Sequence, residues 1–240
     1  MIMKKIVWIL LLTLLPSHFF AQHTVFNELL STYVSDEGVV DYTNFDGKKL
    51  NRYLRYLEKT TPDRSWSANK QKAFWINVYN AYTIYLILHA RNANELKNSI
   101  LDIEIKGKSA WKIPLAIIGS HTYTLDQIEH KILRKKFKDP KIHVGVNCAS
   151  KSCPKLYNRA FTEENIDREL ENLMTAFVND STKNTLRATS IEISKIFNWF
   201  ESDFTEKGSI IDYLNRYSNT PIEKNATISY QNYDWTLNEK

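Results

Sequence analysis

Residues 72–90 read KAFWINVYNAYTIYLILHA. Apolar and aromatic side chains cover most faces of a 3.6-residue period. The segment from Ser67 to about Ala90 is therefore expected to be a helix buried on nearly all sides, not an amphipathic one lying on a surface. Asn77 and Asn80 interrupt this apolar helix. Buried amides are costly unless hydrogen-bonded. They are expected to tie the helix to nearby loop backbone, that of residues 148–156, or else to wall a pocket. The rest of the chain has to cover this helix.

Working outward, residues 24–34 and 47–59 look helical, with VVDYTNF (39–45) between them and a break at Thr61-Pro62. Trp111–Ile118 and His121–Thr124 read as a hairpin turning at Gly119-Ser120. Thr124 opens a further helix, with Gln127 three positions on as its capping-box partner. That helix carries Asp126, Glu129 and His130 and runs to about Lys136. Asp139-Pro140 marks a turn. Ile142, Val144 and Val146 alternate with His143, Gly145 and Asn147, which predicts a strand over 141–147. Residues 162–179, 194–204 and 209–217 read as helices, 184–194 as a small hairpin and 228–235 as a last strand. Long helices and short strands without βαβ order give an α+β class. The expected architecture is one helix-rich domain with a buried central helix packed on a short, mainly antiparallel sheet.

The N-terminus carries Lys4 and Lys5, then an apolar run from Ile6 to Leu15 that ends at Pro16. A basic start, a short apolar run and a cleavage point in SHFFAQ (17–22), after Ala21, predict a secretory signal peptide over 1–21. A run of this length is short for a membrane span, which needs about 20 residues. The single domain then covers 22–240, in the periplasm or outside the cell, with no stable span after cleavage. Loss of Lys4 and Lys5 lowers the formal charge from +5 to +3. The basic residues are scattered among acidic ones, which argues against nucleic acid as a partner. Six glycines and six prolines leave little room for linkers.

Five segments in order carry a family resemblance: AFWINVYNAYT (73–83), LDQIEHKILR (125–134), DPKIHVGVNCASKSCPKL (139–156), FNWFESDF (197–204) and YDWTLN (233–238). Together they resemble the domain of unknown function 547 family, from about Val39 to Asn238. The resemblance implies a fold and a set of special positions, not an activity.

Residues 142–154, IHVGVNCASKSCP, hold both cysteines of the chain, Cys148 and Cys153. Three chemistries fit them. In an exported protein the two can pair as a structural disulfide. Alternatively, one attacks as a thiolate, with His143 as base. His130, Glu129 or Asp126 would orient that base, and backbone N–H groups of residues 149–152 would hold an oxyanion. Zinc on His143, Cys148, Cys153 and His130 is the third, with spacings unlike those of structural zinc sites. No cofactor is implied, and no metal is expected. The candidate catalytic residues are Cys148, Cys153, His143, His130 and Glu129. The candidate substrate-binding residues are Trp75, Asn77, Asn80, Asn147 and Asp126. Asp203, after Trp199 and Phe200, is expected to accept a hydrogen bond from a helix terminus or from a buried Arg such as Arg134. Two function classes follow. One is a Cys/His-dependent hydrolase or transferase acting on amide or ester bonds. The other is a non-catalytic envelope module binding a peptide, small molecule or glycan, with Cys148 and Cys153 as a structural pair.

Overall fold

A computed structural model describes residues 23–93 and 98–240. The expected signal peptide lies outside the described residues. Helices α1 (Thr24–Tyr33), α2 (Gly47–Glu58) and α3 (Ala68–Asn92) open the domain. The starts of α2 and α3 are fixed by side-chain caps. Asp46 accepts from the Lys49 N–H at 2.8 Å, and the Ser67 hydroxyl from the Lys70 N–H at 3.1 Å. Each cap satisfies an N–H that the first turn leaves without a partner. From Gln71 to Ile84 every residue of α3 is buried, as its all-round apolar pattern requires.

The strands form three small sheets. β1 (Glu104–Ile105) pairs with β2 (Lys108–Ser109), and β3 (Ala116–Ile118) with β4 (His121–Tyr123), both antiparallel. The second hairpin rests on α3. Trp75 meets the Tyr123 ring edge-on at 5.2 Å, and the Tyr82 hydroxyl binds the backbone of Ile117. Its turn residue Gly119 has φ +57 beside Thr61, a conformation and a space that suit glycine. In the third sheet β5 (Thr185–Leu186) pairs antiparallel with β6 (Ser190–Ile193). β6 in turn pairs parallel with β7 (Thr227–Tyr230). The helix-rich α+β class with its buried central helix is as expected.

Four elements differ from their sequence reading. Residues 142–145 form a helical turn, α5 (Ile142–Gly145), not a strand. The Asp139-Pro140 turn winds on into it, with Ile142 N–H bonded to the Asp139 carbonyl at 3.0 Å and His143 N–H to that of Pro140 at 3.2 Å. Ile142 through Asn147 are all buried, so the apolar–polar alternation did not mark an inside and an outside. A Cβ on Gly145 would stand 2.9 Å from Leu170 and 3.0 Å from Ile76, so glycine lets this turn press against α3 and α6 (Ile166–Asn179).

The helix expected from Thr124 is the second. Its capping box forms, with both bonds between Thr124 and Gln127 at 3.0 Å. It then widens into a π-helical segment (Gln127–Leu133) before α4 (Arg134–Phe137). Arg134 N–H reaches back five residues to the Glu129 carbonyl. π turns of this kind recur at functional sites. The helix expected over 194–204 is broken at Phe200 into α7 (Lys195–Trp199) and α8 (Glu201–Phe204), followed by α9 (Ile210–Leu214). The expected last strand ends at Tyr230. The chain beyond it forms isolated bridges, Thr236 with Ser99 and Leu237 with Ser150.

Candidate functional site

Asn147 organises the cysteine loop. Its side-chain carbonyl accepts from the Ala149 N–H at 2.8 Å, and its amide donates to the Pro154 carbonyl at 2.9 Å. Ala149 takes φ +58, a left-handed conformation unusual for a residue with a Cβ. The C-terminal segment clamps the loop from outside. Lys151 N–H binds the Thr236 carbonyl at 2.8 Å, Ser152 N–H that of Asp234 at 3.1 Å, and Asn238 N–H that of Ala149 at 3.2 Å. The loop amides of Ala149, Lys151 and Ser152 are thus already engaged.

This clamp sets two free thiols side by side, with Sγ atoms 3.0 Å apart. Cys148 Sγ also lies 3.2 Å from the Ser150 hydroxyl and 3.3 Å from that of Tyr233. Cys153 Sγ accepts the Cys148 backbone N–H at 3.1 Å. The Cys148 thiol is lowered to about 7, chiefly by the hydrogen bond from Cys153. Burial opposes this, and Ser150 and Tyr233 reinforce it. Burial pushes the Cys153 thiol well up. Cys148 is therefore the more readily ionised of the two thiols.

Next to the thiols lies a chain of charged groups. Arg134 grips Asp203 with two bonds, 2.6 Å from Nε and 2.9 Å from a terminal nitrogen. Asp203 also faces His143 Nε2 at 2.8 Å. The His143 ring stacks on Phe200, centroids 4.1 Å apart. Its Nδ1 stands 3.8 Å from Glu129 Oε1. Burial alone would raise the Asp203 carboxyl, but the bonds from His143 and Arg134 hold it well below the usual carboxylate range. Burial lowers His143 despite Asp203. A neutral ring then donates from Nε2 to Asp203 and turns a bare Nδ1 towards Glu129. Burial raises Glu129 to about 7, helped by the Cys148 charge and opposed by Arg134. A carboxyl that titrates near neutrality beside an unprotonated ring nitrogen is fitted to pass a proton.

Glu129, His143 and both thiols open on one cavity of about 110 Å³. Tyr79, Val146, Ile196 and Phe200 line it, with Trp111, Trp199, Tyr233 and Trp235. The last three form a contiguous aromatic group, with Trp199 and Tyr233 centroids 4.8 Å apart and Tyr233 and Trp235 4.5 Å apart. Trp199 is 45% exposed, so the group reaches the surface.

The candidate residues divide between this cavity and the scaffold. Cys148, Cys153, His143 and Glu129 line the cavity. His143 does not present a nitrogen to a sulfur. Its two nitrogens face Asp203 and Glu129. His130 is held at a distance from the thiols, 3.1 Å from Arg134 and 3.5 Å from Asp126, and Glu129 turns to His143 instead of to it. Asn77 exchanges two bonds with the Phe161 backbone, at 2.8 and 3.0 Å. Asn80 donates to the Gly145 carbonyl at 2.8 Å and accepts from Asn147 N–H at 2.9 Å. These amides tie α3 to backbone on either side of residues 148–156. Trp75 packs between Phe74 and Tyr123. Among the described residues no three His, Cys, Asp or Glu side chains converge as a metal site. Tyr79, Trp111, Ser150 and Tyr233 were missed from the sequence. Tyr233 and Trp235 sit in one of the five family segments, YDWTLN (233–238).

A family model described as Protein of unknown function, DUF547, matches residues 64–178. That span holds Glu129, His143 and both cysteines. No curated protein and no solved structure matches the chain.

Proposed function

The chain belongs to the DUF547 family, and from that premise we propose that the aromatic cavity is the active centre of a thiol enzyme acting on amide or ester bonds. The observation that carries this reading is the Cys148 sulfur. Three hydroxyl or thiol groups lie within 3.3 Å of it, on the wall of a cavity it shares with Glu129. A thiolate is the nucleophilic form of cysteine, and hydrogen bonding with these neighbours lowers the Cys148 thiol towards it. In the proposed reaction Cys148 attacks a carbonyl carbon and forms a thioester, while the bond to the leaving amine or alcohol breaks. Glu129 donates the proton that the leaving group takes up, then accepts one from the water or acceptor that cleaves the thioester. Burial raises the Tyr233 hydroxyl, which stays protonated and serves with Ser150 as donor to the developing oxyanion. His143, held by Asp203 and Arg134, positions and polarises Glu129. Export through the N-terminal segment is part of this proposal, supported by the basic and apolar pattern of residues 4–15.

The test is acyl trapping. Reduced protein is mixed with activated esters and amides of apolar or aromatic acids and followed by intact mass. The expected result is one acyl group on Cys148, absent in Cys148→Ser and turned over about a hundredfold more slowly in Glu129→Gln, the low end of acid–base contributions. A second reading is favoured by the exposed aromatic group at the cavity mouth, which suits a bound ligand without chemistry. Saturable quenching of tryptophan fluorescence by peptides or glycans, with no acyl adduct from any ester, would establish it instead.

A further inference from the structure

We propose that Cys148 and Cys153 form a reversible dithiol–disulfide couple, and that the reduced protein transfers two electrons to small disulfides. This goes beyond acyl chemistry and does not require it.

The argument starts from the asymmetry of the pair. Two chemically identical side chains five residues apart share one hydrogen bond in unlike surroundings. Cys148 Sγ gathers the Cys153 thiol and the hydroxyls of Ser150 and Tyr233. Cys153 Sγ has the Cys148 backbone N–H and only 6% exposure. An acyl nucleophile has no need of a second thiol in contact. Thiol–disulfide exchange needs one accessible thiolate to attack and one protected thiol to finish the reaction. The sulfurs stand about 1 Å beyond bonding distance, so the pair can close with little movement. The loop is braced by Asn147 and by the strand-like C-terminal segment at Asp234 and Thr236, which keeps the sulfurs in register. Cys148 opens on the aromatic cavity. Cys153 borders both that cavity and a wide polar groove lined by Asp36, Lys155 and Lys183.

The steps balance. The Cys148 thiolate attacks one sulfur of a disulfide RSSR, forming Cys148–S–SR and releasing RS⁻, which takes a proton from solvent. With the negative charge on Cys148 gone, Cys153 gives its proton to the Glu129 carboxylate and attacks the Cys148 sulfur. The Cys148–Cys153 bond forms and the second RS⁻ leaves, protonated through Glu129. Two protein thiols are oxidised and one disulfide is reduced to two thiols.

The experiment equilibrates the purified full chain in glutathione and glutathione disulfide mixtures of varied ratio. The products are alkylated after acid quench and weighed. The expected result is a reversible transition between two alkylated cysteines and none, following the two-electron glutathione ratio. In Cys153→Ser a glutathione mixed disulfide should accumulate on Cys148. In Cys148→Ser none should form on Cys153. A pair that stays oxidised in every mixture until the protein is denatured is a structural disulfide and overturns the proposal. So does a pair that stays reduced throughout, or a mixed disulfide on Cys153. The acyl-trapping assay on reduced protein is scored separately, so failure of either proposal leaves the other measurable.

Discussion

Two sets of polar groups in the interior, one on α3 and one around the cysteine loop, differ in how they are satisfied. Asn77 and Asn80 each make a matched pair of bonds to backbone, with both ends of the amide used. Nothing about them is left to change. Glu129, His143 and Cys153 are buried too and Cys148 partly so, but they open on a cavity and their protons are shared or displaced. A buried amide answered by backbone is a fastening. A buried ionisable group whose charge is only partly answered lowers stability, and its persistence in a cavity points to use.

The sharpest way to break this contrast is to remove a fastening. Asn80→Ala leaves the Gly145 carbonyl and the Asn147 N–H buried without partners. It is expected to lower stability by about 2–4 kcal/mol in chemical denaturation, as for other lost pairs of buried bonds. A loss below about 1 kcal/mol would mean that water enters and that the amide was no fastening.

Glu129→Gln should act in the opposite direction, and only above the pH at which the unfolded carboxyl ionises. The folded carboxyl is raised from 4.5 to about 7, so between those values the folded chain binds a proton that the unfolded chain has lost. Stability then falls as pH rises through that window, and the full cost is present above pH 7. The variant should be more stable than the parent at pH 8 by on the order of 2–3 kcal/mol, and about equal at pH 4. Denaturation curves at the two pH values decide it. An equal effect at both would show that the residue is not held against its own ionisation.

Asp203→Asn tests the link between the two sets. It weakens the grip on Arg134 and His143, at about 1–2 kcal/mol at pH 7 by denaturant midpoint. The Asp203 carboxyl is depressed, so its contribution is present above its unfolded value near 4 and is lost as pH falls below that. His143 is depressed too, and its neutral burial costs stability as pH falls below about 6.5. In the variant the second loss should remain and the first should vanish, which acid titration of the folded fraction would separate.

The legible part of the fold was what burial alone dictates. The all-round apolar pattern of residues 72–90 found α3, and Thr124 with Gln127 found the start of the next helix. Of the two kinds of partner expected for Asp203, a helix terminus or an Arg such as Arg134, the structure shows the Arg134 pairing. The turn at 142–145 was misread because both of its faces are buried, so alternation carried no information. The widening at Gln127–Leu133, which accompanies the turn of Glu129 to His143 and not to His130, has no sequence signature of its own. The cavity wall escaped for a different reason. Tyr79, Trp111 and Tyr233 come from three distant segments, and only the fold brings them to one place.

The measurement that tests the central claim most directly is the rate of Cys148 alkylation by iodoacetamide in folded, reduced protein from pH 5 to 10. Adducts are located by peptide mass. The account predicts a single fast site, Cys148, whose rate rises through a midpoint near pH 7 and moves upward in Ser150→Ala and Tyr233→Phe. Cys153 should react only after unfolding. A midpoint at or above the ordinary thiol value of about 8.5, or equal rates at the two cysteines, would contradict it.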